Sequence, residues 1–331
     1  MPETLTAGEH ALLGRTELRT ARIVGLGHKL PERIVGNAEV AEQIGGVDSD
    51  WIVRRTGIRQ RRYAAPGERT TDLALAAARR ALSDADTRPH EIDLVLVATM
   101  TPDELTPNTA PLLAHALGIG VGAYDIGAAC TGWLSALSAG AAQVETGRAE
   151  RVLVVGAEVL SRIVDPTDKR TAMLFGDGAA AVVLGPDGDG EIGPILLESD
   201  GGMGDTITAT HEERLLHMDG HTTFNKAVKV LSDSTEAVAA RAGLSLDEID
   251  LFVYHQANGR ILRAVGEKLE LPAERVADYV GETGNTSAAS IPLTLSLLRE
   301  DGRLRPGQRI LLAAVGAGFT WGAGIIEWGV R

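Results

Sequence analysis

Ala81–Thr99 reads ALSDADTRPHEIDLVLVAT, and the chain repeats its pattern at Ala240–Gln256, ARAGLSLDEIDLFVYHQ. In each, an Ala-rich helical stretch leads to Glu-Ile-Asp, at 91–93 and 248–250, and then to a short apolar run of buried-strand type. Working outward, Arg151-Val-Leu-Val-Val is echoed by Arg309-Ile-Leu-Leu-Ala. The small-residue helix that follows Cys130 is echoed by Ser287–Arg299, entered through Gly284-Asn285-Thr286. The offsets are 157, 158 and about 155, so half of the chain is duplicated, not a small solenoid unit. Each half alternates apolar strands with helices, which predicts an α/β fold with a mostly parallel sheet covered on both faces. The expected division is an N-terminal extension over 1–20, a first half over 21–187 and a second half over 188–331.

Within the first half, strands are expected at Arg22–Gly27, Asp93–Ala98, Arg151–Gly156 and Ala180–Leu184. Helices are expected at Ala38–Ile44, Thr71–Ala85 and Thr109–Leu117, the second announced by Thr70, Thr71 and Asp72. Residues 185–193 (GPDGDGEIG) form a connector. They contain Gly188-x-Gly190-x-x-Gly193, but no helix is signalled after it, so the dinucleotide-binding context is absent.

Composition narrows the function. The chain has 331 residues, enough for one large α/β domain or two average ones, and aromatics are only 4%, which suits helices packed closely on sheets. A single cysteine excludes a disulfide framework and a cysteine-rich zinc site, and it fits a reducing cytoplasm. The first residues hold no apolar core of signal-peptide type, and no run approaches the ~18 apolar residues of a spanning helix. A net charge of −13 argues against nucleic acid as a partner and makes any basic cluster more informative.

That lone cysteine lies in Ile126-Gly-Ala-Ala-Cys130-Thr-Gly-Trp133, where a short strand runs into an Ala/Gly/Ser-rich helix. A thiol there meets unpaired N–H groups and the positive end of a helix dipole, which together favour thiolate. Dipole stabilisation of roughly 1 kcal/mol amounts to less than about one pKa unit, so a nucleophile needs further help. A cysteine among alanines is ordinarily a small buried hydrophobe. The duplication alters its standing, because corresponding strand–helix junctions of two related halves meet at the centre. The second-half junctions carry His255, at the end of an apolar strand, and Asn285, between Gly284 and Thr286. Taken singly, these are a structural histidine and an N-cap. Together with Cys130 they form a nucleophile with proton-handling partners.

These residues carry a resemblance. Asp50–Gly57 (DWIVRRTG), Ala129–Gly132 (ACTG), Asp165–Asp168 (DPTD) with Phe175–Ala179 (FGDGA), His255–Asn258 (HQAN), Gly284–Pro292 (GNTSAASIP) and Gly316–Gly322 (GAGFTWG) are similar to the β-ketoacyl-acyl-carrier-protein synthase III family. They run in order from residue 22 to the end. The resemblance implies a thiolase-like fold, two βαβαβαββ halves in a five-layered αβαβα core, usually as a homodimer. It implies a cytoplasmic acyltransferase with no tightly bound cofactor. An acyl-CoA acylates Cys130; a malonyl thioester, carried by acyl carrier protein, then loses CO2 and attacks the acyl group, giving a 3-oxoacyl thioester.

Residue by residue, the resemblance gives Cys130, His255 and Asn285 the catalytic roles, and the backbone N–H groups of Cys130 and Ala317 the oxyanion hole. Ala317 stands where the family usually has glycine. Trp51, Arg55, Lys169, Arg170, Phe224 and Asn258 are the expected CoA contacts, with Lys169 where the family commonly has a stacking arginine. Arg54, Arg55, Arg59, Arg61 and Arg62 read equally as a solvated positive face or as phosphate contacts. Arg260, Arg263 and Lys268 are the expected landing site for the carrier protein. Thr106 stands where some members place a bulky Phe at the partner subunit's acyl pocket, so a longer or branched primer is expected. Fatty-acid initiation, polyketide starter-unit synthesis and acetoacetyl-CoA formation from malonyl-CoA all remain compatible with these residues, as does acyl transfer without condensation. His211, His217 and His221 lack a metal-binding HExxH pattern.

Overall fold

The computed structural model describes residues 18–330. In the first half these are β1 (Arg22–Lys29), β2 (Arg33–Gly36), α1 (Asn37–Ile44), α2 (Ser49–Thr56), β3 (Gln60–Tyr63), α3 (Thr70–Asp84), β4 (Leu94–Ala98), α4 (Thr109–Ala116), β5 (Gly122–Ile126), α5 (Gly132–Glu145), β6 (Val152–Glu158) and β7 (Gly178–Gly185). The second half follows with β8 (Glu191–Ser199), β9 (Ile207–Ala209), β10 (Leu216–Met218), α6 (Gly220–Ala242), β11 (Leu251–Tyr254), α7 (Gly259–Lys268), α8 (Val280–Thr283), α9 (Ser290–Glu300), β12 (Arg309–Gly316) and β13 (Thr320–Glu327). The chain leaves the first sheet at Gly185 and begins the second at Glu191. The extension expected over 1–20 lies outside the described residues as far as residue 17. Arg19 is already docked, its backbone N–H donating to Glu145 O at 2.9 Å.

Two sheets share one topology. The first has the order β1-β7-β6-β4-β5 and the second β8-β13-β12-β11. The counterpart of β5 is reduced to a single parallel bridge between Phe252 and Val276. The sheets are mixed, which corrects the expectation of mostly parallel ones. β4 pairs in parallel with β5 and β6, and β11 with β12. β7, β1, β13 and β8 run antiparallel to their neighbours. The physical cause is the connections. Neither the 159–177 segment before β7 nor the three-residue turn before β13 holds the crossover helix that a parallel return requires.

Strand alternation then builds five layers. Leu94, Leu96 and Ala98 of β4 face inward with Leu251 and Val253 of β11, and between the sheets lie α5 and α9, with Trp133, Leu137, Leu295 and Leu298. Val95 and Val97 face out against α3 and α4, through Leu73, Ala77 and Leu113. Phe252 and Tyr254 face the other way, against α6 and α7, through Leu231, Val238, Ile261 and Val265. Strands covered on both faces have no solvent side, so they read as apolar without interruption. The order is helix, sheet, helix, sheet, helix.

Candidate active site

Cys130 belongs to a 3-10 turn, Ala129–Thr131, between β5 and α5; the matching turn, Ser287–Ala289, precedes α9. Both turns start on a non-glycine residue at positive φ, Ala129 at 46° and Ser287 at 47°. Each rests on a strand of the opposite half. A Cβ at Gly316, the last residue of β12, would lie 2.8 Å from Cys130 N. A Cβ at Gly156 in β6 would lie 2.5 Å from Ala288 O. These close approaches bring Cys130 of one half against the strand end of the other. The Thr131 hydroxyl donates to Ala128 O at 2.6 Å and lies 2.7 Å from the Thr320 hydroxyl, which donates to Ala317 O at 3.0 Å. The loop bearing Ala317 is thereby tied to the cysteine turn.

His255 follows β11 directly, its N–H bonded to Ala313 O at 2.8 Å. Gln256 beside it is a staple that sequence reasoning did not single out. Its amide donates to Tyr254 O and Ala277 O and accepts from Tyr279 and Val280 N–H, fixing the strand end to the segment that leads to Asn285. Asn285 Oδ1 accepts the Ser287 N–H at 2.9 Å. With its oxygen engaged, the amide NH2 is the end left for the cavity.

Cys130, His255, Asn285 and Ala317 all line one cavity of about 840 Å3, ample for an acyl-pantetheine arm. Trp51, Arg55, Lys169, Arg170, Phe224, Asn258 and Arg260 line it as well. Asp48 caps α2 at Trp51 N–H, and the Arg55 guanidinium stacks 4.8 Å from the Trp51 ring centroid. Asn258 caps α7 through Arg260 N–H at 2.9 Å and donates to Arg55 O at 3.3 Å, joining α7 to α2. Phe319 and Met173 also line the cavity without having been singled out, as does His217, which the sequence reading considered only as a metal ligand.

Several expectations are relocated. Arg260, expected on a docking face, is exposed and also lines the cavity, over Phe224 at 5.2 Å. Lys268 is 3.8 Å from Asp233 on α6, and Arg263 is exposed. Thr106 lies on the surface, outside the cavity of its own chain. The arginine run is neither a uniform positive face nor a phosphate cluster. Arg61 is fully buried, bonding Asn37 Oδ1 and Met173 O, and Arg59 pairs with Glu282. Arg55 alone of the run reaches the cavity.

Electrostatics depart from the expected thiolate. Burial pushes the Cys130 thiol up to about 12, against weaker help from the Ser287 hydroxyl and its own backbone N–H. Dehydration outweighs the helix dipole, so the resting sulfur keeps its proton. Burial lowers His255 to about 3, and its Nδ1 is buried with no partner, so the imidazole stays neutral. A neutral imidazole and a carboxamide lining one cavity with a thiol can donate to a developing enolate oxygen.

Residues 124–201 match the family of 3-oxoacyl-[acyl-carrier-protein (ACP)] synthase III, and residues 239–328 match its C-terminal part. The chain is 46% identical over 321 residues to the β-ketoacyl-[acyl-carrier-protein] synthase III of Bordetella petrii, covering 93% of this chain and 98% of that one. Among solved structures, the Thermus thermophilus β-ketoacyl-[acyl carrier protein] synthase III superposes with a TM-score of 0.90 at 42% identity, covering 94% of this chain and 100% of that one. The priming β-ketosynthase of the R1128 polyketide pathway superposes at 0.89 with 37% identity, over 95% and 98% of the two chains. Agreement of sequence and backbone over nearly the whole length establishes that this chain belongs to the β-ketoacyl-[acyl-carrier-protein] synthase III family.

Proposed function

We propose that this chain performs the decarboxylating Claisen condensation that starts an acyl chain, with Cys130 as the acyl carrier. The observation that supports this most directly is the single cavity onto which Cys130, His255, Asn285 and the Ala317 loop converge. Cys130 Sγ attacks the thioester carbonyl of an acyl-CoA, the Cys130 and Ala317 N–H groups hold the oxyanion, and CoA leaves. A malonyl thioester then enters. His255 and Asn285 donate to its thioester oxygen as CO2 departs, and the resulting carbanion attacks the acyl-Cys130 carbonyl. Two neutral donors suit this step because charge develops on oxygen only as the carboxylate is lost. No redox change or hydrolytic metal is called for; acyl-CoA is a substrate, and the reaction uses no resident cofactor.

Trp51 and Arg55 hold the nucleotide end of CoA, Lys169 and Arg170 flank it, and Phe224 and Asn258 border the pantetheine arm. The malonyl donor arrives on acyl carrier protein at the exposed face of α7. The protein works in the cytoplasm as a homodimer. Among the described residues no helix is long and apolar enough to cross a membrane.

A polyketide starter role is the second reading, favoured by the likeness to the R1128 priming enzyme. Mass spectrometry after incubation with acyl-CoAs of increasing length tests both. Acylation of Cys130 followed by CO2 release on adding malonyl-carrier protein is expected, and a Cys130→Ala variant should show neither. Strict preference for acetyl-CoA would overturn the roomy pocket inferred from Thr106. Acylation without CO2 release from any malonyl thioester would overturn condensation itself.

A further inference from the structure

Arg61 is the cation that the chemistry above leaves unused. It lies on β3 and is 0% exposed, yet its hydrogen bonds all go to neutral oxygens. Nη1 donates to Asn37 Oδ1 at 2.8 Å and, more weakly, to Val35 O at 3.5 Å; Nη2 donates to Met173 O at 2.9 Å. Nε is buried with no partner. Asn37 is fixed in turn, its Nδ2 donating to Ile58 O at 2.7 Å. Burial lowers the guanidinium from its ordinary value. A charge taken out of water with only dipoles to face is a costly way to join two segments, and an apolar side chain would fill the space without that penalty.

What the guanidinium holds lies against Asn285. Met173, Leu174 and Phe175 line the cavity, and Asn285 is set on this stretch from both sides. The Asn285 N–H donates to Leu174 O at 2.8 Å, its carbonyl accepts the Gly176 N–H at 3.0 Å, and Phe175 and Asn285 form a parallel bridge. The stem of Arg61 enters the same junction. A Cβ added at Gly176, or at Gly284 next to Asn285, would lie 3.1 Å from Arg61 Cβ. At its other end the guanidinium holds Val35 and Asn37, which belong to the β2–α1–α2 lobe bearing Trp51 and Arg55. Trp51 and Met173 pack on one small apolar cluster with Val35, Val40 and Ile52.

We propose that Arg61 is a positioning residue for the condensation step: its planar fork spans from Asn37 to Met173 O and so fixes the 173–176 stretch that aims the Asn285 carboxamide into the cavity. This rests on the reading of Asn285 as a donor to the malonyl thioester. Arg61 touches no substrate and acts through Asn285. The fork is what the geometry demands, because two acceptors on different segments are held at once by two nitrogens of one rigid plane, which a lysine ammonium on a flexible stem does not reproduce. A merely structural staple and a positioning residue differ in what their loss does. The first lowers stability and leaves the kinetics of the folded protein alone; the second slows CO2 release and spares acylation.

The experiment measures two steps on one sample: Cys130 acylation from saturating acetyl-CoA, by quenched mass spectrometry, and CO2 release when malonyl-carrier protein is added. Arg61→Met keeps the length of the stem without charge or N–H groups. It should leave acylation within about threefold and lower CO2 release about tenfold or more, since a displacement of about 1 Å at a reacting group can cost ~100-fold. Arg61→Lys should fall between this variant and the unaltered enzyme. Adding Arg61→Met to Asn285→Asp should slow CO2 release by less than about twofold beyond Asn285→Asp alone, because both losses pass through one side chain. CO2 release within about twofold of normal in folded Arg61→Met, an equal loss in both steps, or losses that multiply in the double variant would each overturn the positioning role. Should Arg61→Met fail to fold, normal CO2 release in Arg61→Lys overturns it. Normal CO2 release in Asn285→Asp alone would instead overturn Asn285 as the donor, and the role of Arg61 with it.

Discussion

On the proposed reaction, Asn285 separates the two half-reactions at the level of one side chain. Its oxygen holds the Ser287 N–H, which leaves its NH2 to act as the donor. Asn285→Asp keeps the acceptor and replaces the donor with a charge of the wrong sign for an enolate. Acyl-Cys130 should still form within about threefold of the normal rate, while CO2 release should fall about 100-fold or more, as for loss of an oxyanion donor. Quenched mass spectrometry and a CO2 assay on the same sample check this; an equal loss in both steps would remove Asn285 from the condensation. Cys130, His255 and Asn285 were legible because each stands at a junction that the duplication repeats. The thiol's protonation was not. It depends on how much water the folded cavity removes, and adjacent residues do not encode that. Glu158, buried at the end of β6 and held by the Thr101 hydroxyl, was not singled out, because the sequence does not show that residues 99–101 fold beside it.

Among the elements, the two junction turns matter most, because each is seated on a glycine of the other half's strand. Gly316→Ala would place a methyl group 2.8 Å from Cys130 N, backbone that cannot swing aside. A cost of about 1–3 kcal/mol, read as a lower thermal midpoint, should accompany a loss of acylation larger than the stability change explains. Unchanged acylation in a folded Gly316→Ala protein would show that this approach does not position the sulfur. The helices expected at 38–44, 71–85 and 109–117 correspond to α1, α3 and α4, and the second was announced by Thr70, Thr71 and Asp72; α2 with its Asp48 cap and the start of α6 with its Asp219 cap went unread. Strand direction was harder to read. Nothing in residues 159–177 announces that the chain returns antiparallel as β7, because those residues form turns held by scattered hydrogen bonds, without a repeating pattern.

For the whole molecule, charge sets the terms on which a partner approaches. The net charge is −13, so an acidic partner, as the proposed carrier protein would be, is repelled at long range and needs a local positive site. All three cations expected on α7 are exposed, but Lys268 is 3.8 Å from Asp233 and Arg260 lies over Phe224, which leaves Arg263 as the one with neither an ion pair nor a ring contact among the described residues. Arg263→Glu should raise the KM for malonyl-carrier protein several-fold, more at low salt than at high, and leave acyl-CoA loading unchanged. An unaltered KM at low ionic strength would move the docking site elsewhere.

The missing fifth strand of the second sheet also has a consequence. β1 and β8, which border the two sheets, come together where Ile192 N–H bonds Ala21 O. β11 is closed off by the Val276 bridge and the segment after it. Of the two large sheets, that leaves β5, with Tyr124 43% exposed, as the border strand without a strand neighbour on its outer side among the described residues. A lone sticky rim can be satisfied by an identical rim turned end for end, and the union uses it up. In the proposed homodimer such pairing would use up both rims and leave no open edge of the two large sheets on which a fibre could grow.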